Sequence, residues 1–308
     1  MSTLVTLGEQ LGRVTCWHEG PVRAGSAAEL SVCGAEATVA VGVRRLGMAS
    51  RFLGRVGNDT FGQIGRSVLS SEGVDVTGVV IDDEAPTGVL LRSQRTAERV
   101  VVEYLRRGSA GSRLRPDDLD PTAIETANLL HVTGITPALS RSAADAVDTA
   151  ITLAKESGVP ISFDVNYRAT LWPAAVATPA LRRLAAQADV VIGGLSELAL
   201  LGKDFAEISD LGPREIVRTE GRDGATAWLD GQFTHAPARP AQVVDVVGAG
   251  DAFVAGYLAG RLAGAAIDQR LALGNALGAF AVSTRGDWEG LPTAKEVDLL
   301  DHIDDVLR

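Results

Sequence analysis

The chain has 308 residues, 46% of them hydrophobic, a formal net charge of −10 and two cysteines. That length and apolar content suit one large α/β domain, or two modest ones, with a substantial core. Negative charge spread along the chain argues against nucleic acid or an anionic membrane surface as the main partner and leaves a small molecule. Cys16 and Cys33 make no disulfide framework, no leader peptide is read at the start, and no apolar run approaches the ~20 residues of a membrane span. A cytoplasmic, soluble protein is the expectation.

Taken in order, residues 4–7 predict a short apolar strand running into Gly8-Glu9. From about 14 to 33 the pattern becomes short alternating strands, polar on one face, and the same texture returns at 88–93 and 99–105 around a polar turn at 94–98. These two groups together predict a small separate sheet acting as a lid. Between them, Val39, Val43 and Leu46 share one face of a helix from about Ala35 that stops at Gly47; a strand at 51–56 and a helix at 60–72, stopped by Gly73, follow. From Pro116 the alternation is regular: helix 117–128, strand 129–132, helix 139–157, strand 161–165, helix 174–187, strand 189–192, helix 196–201 and strand 215–219, with a further strand at 225–229. Gln242-Val243-Val244 predicts the end of another strand, and two long helices, about 251–264 and 268–284, close the pattern. Strands alternating with helices imply a mostly parallel sheet covered on both faces, with ligands at the carboxyl ends of its strands.

The stretch Asp245-Val246-Val247-Gly248-Ala249-Gly250-Asp251 carries the chemistry. Backbone N–H groups at a helix start, backed by the helix dipole, suit a phosphate-like anion, and Asp251 at the rim could accept a proton from a hydroxyl attacking phosphorus. A tight connection in which the glycines serve packing alone has the same letters. A dinucleotide-binding fingerprint would want glycine where Phe253 stands, and the Gly202-Lys203 pair is followed by Asp204 and preceded by Glu197 where a phosphate loop needs glycine.

Other candidates each have a plain alternative. Arg168, past the strand 161–165, could hold a carboxylate or phosphate, or be a solvated loop arginine. Tyr104 and Arg106, two apart on a lid strand, could meet one ligand or merely decorate an exposed face. Glu197 could organise water around a nucleotide-bound magnesium, or sit in a helix first turn for the dipole's sake. Thr219, Gly221 and Gly224 could pass under a nucleotide or form a hairpin turn. His131, between Leu130 and Val132, is expected to be a packed core histidine.

The Asp245–Asp251 stretch resembles the second signature of the ribokinase-like (PfkB) carbohydrate kinases. Cys33-Gly34-Ala35-Glu36-Ala37-Thr38, Leu46-Gly47 and Val56-Gly57-Asn58-Asp59-Thr60-Phe61-Gly62 resemble the first. The resemblance implies a three-layer α/β/α domain over residues 1–308 with a mostly parallel central sheet. A discontinuous β lid would come from about 12–33 and 88–107, and a homodimer would form through it. It implies ATP and Mg²⁺, with a monovalent cation left open. Asp251 would be the general base, Gly248, Ala249 and Gly250 the anion hole, and Thr219, Gly221, Gly224 and Asn275 the ATP site. Glu197 would belong to the motif that orders magnesium and phosphate.

Within the family, Gly108-Ser109-Ala110-Gly111-Ser112, Leu130-His131-Val132-Thr133-Gly134, Asp164-Val165-Asn166-Tyr167-Arg168 and Arg285-Gly286-Asp287 are similar to 2-keto-3-deoxygluconate kinases. That similarity implies phosphorylation of the terminal hydroxyl of a six-carbon keto acid, with Gly34, Tyr104, Arg106, Arg168 and Asp287 at the substrate. The chain departs from the pattern at Cys33, Thr38, Leu90 and Leu105, where a glycine, an asparagine and two tyrosines are usual, and at Gly194. Each lost buried hydrogen bond is worth about 0.5–1.5 kcal/mol, so chemistry is expected intact and specificity altered. A kinase for fructose, ribose or another neutral sugar or nucleoside, and a non-catalytic sugar-sensing protein, are the alternatives.

Overall fold

The computed structural model describes residues 2–96 and 99–301. It opens with β1 (Thr3–Gly8), β2 (Leu11–Cys16), β3 (Glu29–Cys33), α1 (Ala35–Arg45), β4 (Ala49–Gly57), α2 (Thr60–Ser71), β5 (Val79–Asp82), β6 (Val89–Thr96) and β7 (Arg99–Leu105). There follow α3 (Pro121–Glu125), β8 (Leu129–Thr133), α4 (Thr136–Leu139), α5 (Arg141–Glu156), β9 (Ile161–Asp164), α6 (Ala174–Ala185), β10 (Val190–Gly194), α7 (Leu195–Leu198), α8 (Phe205–Ser209) and β11 (Glu215–Thr219). A hairpin of β12 (Ala225–Leu229) and β13 (Gln232–Ala236) leads to α9 (Ala249–Leu262) and α10 (Ile267–Val282).

The main sheet has nine strands in the order β13-β12-β11-β10-β9-β8-β1-β4-β5. β11 through β5 pair in parallel, while the β12–β13 hairpin is antiparallel. Alternation along β1 divides the core: Leu4 packs with Val39, Leu69, Tyr257 and Leu271 of α1, α2, α9 and α10. Val5 and Leu7 pack on the other face with Ile124, Ile151 and Leu181 of α3, α5 and α6. The result is the expected three-layer α/β/α arrangement. His131 is fully buried between these layers, its Nδ1 lies 3.2 Å from Ser162 Oγ, and burial pushes its pKa down to about 3, so it is a neutral core histidine.

A second sheet of four strands runs β3-β2-β6-β7, with β2 and β6 parallel and the other pairs antiparallel. It comes from the two alternating regions, as expected. β6 runs to Thr96, into the predicted turn 94–98, whose Ala97 and Glu98 lie outside the described residues.

Several elements differ from expectation. No strand forms at 242–244: Val244 and Asp245 both donate their N–H to Val282 O at the end of α10, at 2.7 and 3.2 Å, and Val243 is 64% exposed. Val243 lines a cavity there rather than a sheet. The helix expected at 117–128 breaks into a 3₁₀ turn, Pro116–Asp118, and α3, because Pro121 lacks an N–H and cannot continue a preceding turn. α5 starts at Arg141, where the Ser140 side chain accepts from Ala143 N at 3.1 Å. The helix expected at 196–201 is the single turn α7, and β5 and β13 are strands beyond those the patterning predicts. α9 begins two residues earlier than expected, which puts Asp251 inside its first turn.

Candidate active site

The parallel strands β1, β8, β9, β10 and β11 deliver their carboxyl ends to one edge, and three cavities meet there. The largest, about 730 Å³, is lined by Thr219, Gly221, Gly224, Ala249, Gly250 and Asn275 among others. A second, about 370 Å³, holds Asp164, Asn166, Glu197 and Thr219. The third, about 170 Å³, lies under the small sheet and holds Gly34, Tyr104, Arg106 and Asp287. Thr219, Val246 and Gly250 line the first two, whereas Arg168, Val247, Gly248 and Asp251 line the last two. Asp251 therefore stands on the wall between the middle and the small cavity.

Gly248 makes that placement. It caps α9 in the left-handed region with φ 76°, and its carbonyl accepts from Ala252 N at 2.8 Å. A Cβ there would lie 2.7 Å from Asp287 O, while one on Gly250 would meet nothing within 4 Å. The first-turn N–H groups of Ala249, Gly250 and Asp251 have no acceptor within the helix and open on the cavities with the dipole behind them.

Asn166, with φ 38°, holds the acids together: its Nδ2 donates to Asp251 Oδ1 at 3.0 Å and to Asp164 Oδ2 at 2.8 Å. Burial pushes Asp251 up to about 6, aided by the charges of Glu36 and Glu197 and opposed by Arg168 and Asn166. Burial, then Glu197 and Asp251, hold Asp164 well above the usual carboxylate range. Glu197 accepts Tyr167 N at 3.0 Å and Gly194 N at 2.8 Å, so it also caps α7.

The expected substrate residues converge on the small cavity, with their charges largely matched. Arg106 pairs with Glu9, which burial shifts upward and which also accepts Ser109 Oγ at 2.5 Å; its guanidinium lies 5.3 Å from the Tyr104 ring. Asp287 accepts Arg13 Nη1 at 2.7 Å, and burial pushes it up to about 6. Arg168 is different: its nearest carboxylate oxygen, on Glu197, is 3.9 Å away, and its side chain is 43% exposed. In the large cavity Asn275 donates its amide N–H groups to Ala236 O and Pro237 O at 2.9 and 3.0 Å, so it shapes the wall. Of the departures, Cys33 and Leu90 line the small cavity. Thr38 donates to Gly34 O at 2.9 Å within α1, and Leu105 is 68% exposed.

Sequence reasoning gave no role to Asp164, Glu9, Glu36, Arg13 or Arg92. Asp164 stands at a strand exit, which is a usable signal. Glu36, buried and accepting the hydroxyls of Thr133 and Thr136 at 2.7 Å each, carries no such mark. The two arginines are reached only through the folded small sheet.

A carboxylate pushed toward neutrality, unpaired helix N–H groups beside it, and a middle cavity that joins a large one to a small one suit a phosphotransferase for a small hydroxylated substrate. The chain belongs to the pfkB family of carbohydrate kinases, whose family model matches residues 1–294. It is 36% identical over 304 residues to the 2-dehydro-3-deoxygluconokinase of Bacillus subtilis (strain 168), covering 95% of this chain and 93% of that one. It is 38% identical over 276 residues to the fructokinase of Klebsiella pneumoniae, covering 84% and 88%. An E. coli protein assigned as ribokinase II, solved with ATP and Mg²⁺, superimposes with a TM-score of 0.90 at 26% identity over 98% of this chain and 99% of that one. The chain is a sugar kinase.

The Gly248 turn is the constrained point of the site. Gly248→Ala is expected to cost about 1–3 kcal/mol in urea unfolding, while Gly250→Ala stays within about 0.5 kcal/mol of the parent protein. Equal losses would contradict the assignment.

Proposed function

We propose that this kinase transfers the γ-phosphoryl group of ATP to the terminal hydroxyl of 2-keto-3-deoxygluconate, giving the 6-phosphate. One observation carries the substrate class. Arg13, Arg92, Arg106 and Arg168 line the small cavity; the first three are each within 2.9 Å of a protein carboxylate, and Arg168 is not. A substrate carboxylate is the partner such a guanidinium lacks. Arg106 is better read as shaping the cavity through Glu9 than as the main acid-binding group.

ATP fits the large cavity by size, and the open space over Gly250 lets phosphate approach the backbone. Mg²⁺, when bound, would supply charge neutralisation at the phosphate oxygens. Glu197 would hold it through water, since both its oxygens already accept backbone N–H groups and no direct ligand group of three acidic, His or Cys residues occurs among the described residues. Asp251 takes the hydroxyl proton as the new O–P bond forms and the bond to the β,γ-bridging oxygen breaks. The Gly248–Asp251 turn meets the charge, and Asn166 fixes the rotation of the base. The small sheet, residues from about 12–33 and 88–107, acts as the lid. Both cysteines are buried and free, which suits the reducing cytoplasm.

The rival is a neutral-sugar kinase, favoured by Leu90 in the cavity wall and by the fructokinase likeness. ADP production from MgATP with 2-keto-3-deoxygluconate, its galactose-derived epimer, fructose, ribose and adenosine separates the two. Preference for the keto acids is expected, with Arg168→Gln losing about 100-fold in kcat/KM on them and under about threefold on fructose. Preference for fructose or ribose would end the keto-acid reading, and no ADP with any sugar would favour a non-catalytic sensor.

Asp251 gives a pH signature. It must be ionised to accept the proton, so log kcat/KM should fall below about pH 6 and be flat above it. Its folded-state pKa is raised, so its contribution to stability is fully present below the unfolded value near 4 and is lost as pH rises through about 6. Asp251→Asn should therefore lose at least about 1,000-fold in kcat yet gain on the order of 2 kcal/mol of stability at pH 8, a gain absent at pH 4. Retained turnover would remove Asp251 as the base.

We also propose a dimer through the lid. Every residue of β7 is exposed, and its outward positions include Val101 and Leu105, with Leu30 on β3 58% exposed. Light scattering should give twice the 32.1 kDa chain mass, and Leu105→Lys should shift it to monomer; a monomeric parent protein would exclude the dimer.

A further inference from the structure

The small sheet reaches the Gly248 turn through arginines that take no part in phosphoryl transfer. Arg13 on β2 and Arg92 on β6 share one face, because Arg13 pairs in register with Leu90 and Thr15 with Arg92. Arg92 is 4% exposed and donates from both Nη atoms to the two oxygens of Asp245, at 2.5 and 2.9 Å. Asp245 is 6% exposed, and its Oδ1 also accepts Val247 N at 3.2 Å, one residue before Gly248. Arg13 holds Asp287, whose carbonyl lies against the turn at Gly248. The Trp17 ring completes the link, with the Arg92 guanidinium 5.0 Å and the Arg285 guanidinium 4.7 Å from its centre.

We propose that Arg92 is a positioning residue: through Asp245 it sets the Gly248 turn at a fixed spacing from the small sheet, so that the sugar-cavity wall and the N–H groups of α9 are held in register. The inference rests on reading this edge as the phosphoryl-transfer site. A bidentate guanidinium–carboxylate pair fixes distance and angle together, and burial of both partners shields it from salt and water. Val244 and Asp245 also donate their N–H to Val282 O, so the part that depends most on the pair is the short reach from Val246 to Gly248. Residues 237–247 belong to no helix or strand, and Val243, Val244 and Val246 are at least half exposed. Loss of the pair should thus free the approach to α9 while leaving the domain folded. Gly221, Gly224 and Asn275 line the large cavity from other elements, and Ala238, Pro240 and Val243, which line it from this segment, lie before the Val244 and Asp245 hydrogen bonds to Val282, so turnover should suffer far more than ATP affinity.

Two measurements on Arg92→Gln test this. The kcat for the best sugar of the panel should fall about 30- to 100-fold with KM for MgATP within about threefold. The double variant with Asp245→Asn should be no slower than the slower single, because both changes remove one contact. In the ligand-free protein, amide hydrogen exchange at residues 246–252 should quicken about tenfold or more, while β8 and β9 stay as they were. Additive losses, a kcat within about twofold of the parent, or unchanged exchange at the turn would overturn the proposal. If Arg92→Gln does not fold, Arg92→Lys, which keeps the charge and loses the fork, is judged by the same criteria. A parent protein that phosphorylates no sugar, with exchange quickened in the variant, would overturn the kinase reading of the site and support the role of Arg92.

Discussion

The N-terminus of α9 has to open on three cavities at once, and the left-handed turn at Gly248 is what lets it. A side chain there would collide with the Asp287 carbonyl, so the turn and the segment packed on it fix each other. Behind the turn α9 is buried all round from Ala252 to Gly260. Such a helix has no solvent face to follow and is placed wholly by its neighbours. Gly256 lets α10 approach closely, since a Cβ there would lie 2.6 Å from Leu273 O. At the far end Arg261 pairs with the buried Glu215, which also accepts Tyr257 Oη at 2.6 Å. The body of α9 is thus held from the core, while the approach to its reacting end is left to the segment before Gly248.

That rigidity serves an awkward electrostatic arrangement. Asp164, Glu197 and Asp251 line one cavity, the one we propose for phosphate. In the free protein the crowding shows as raised pKa values at Asp164 and Asp251, with burial the larger cause in each. A carboxylate in bulk water would be too weak a base for a sugar hydroxyl, and one buried without relief would stay protonated at neutral pH. Arg168 and the Asn166 amide pull Asp251 back to about 6, where it is ionised near neutrality yet still basic.

Much of this was legible in the chain. Period-two and period-3.6 patterning located most strands and long helices, because their burial is one-sided or complete. It failed where tertiary context decided. Val243 and Val244 have strand-like side chains but find α10 instead of a strand partner, and Pro121 splits a helix that apolar spacing alone extends. For the site, glycines and strand exits marked Gly248 to Asp251, Arg168 and Thr219. Nothing local marked Arg92: its partner is 153 residues away in sequence, and it becomes meaningful only once β6 lies beside the α9 approach. Glu36 reads as an ordinary first-turn acid until Thr133 and Thr136 arrive from β8 and α4.

The four sugar-site departures look alike in the sequence and separate in the structure. Thr38 binds its own helix and Leu105 points away, so neither removes a hydrogen bond from the small cavity. Cys33 and Leu90 do face it. Cys33 in place of glycine adds bulk and removes no hydrogen bond, so the one neutral hydrogen bond lost at Leu90 weakens a polyhydroxy substrate by about 0.5–1.5 kcal/mol. A charge-assisted contact from Arg168 is worth roughly 1.5–3 kcal/mol. The gain is at least as large as the loss, so a sugar acid that engages Arg168 recovers what the altered wall gives up, whereas a neutral sugar of the same shape bears the loss alone. Discrimination at this site then rests on charge more than on the pattern of hydroxyls.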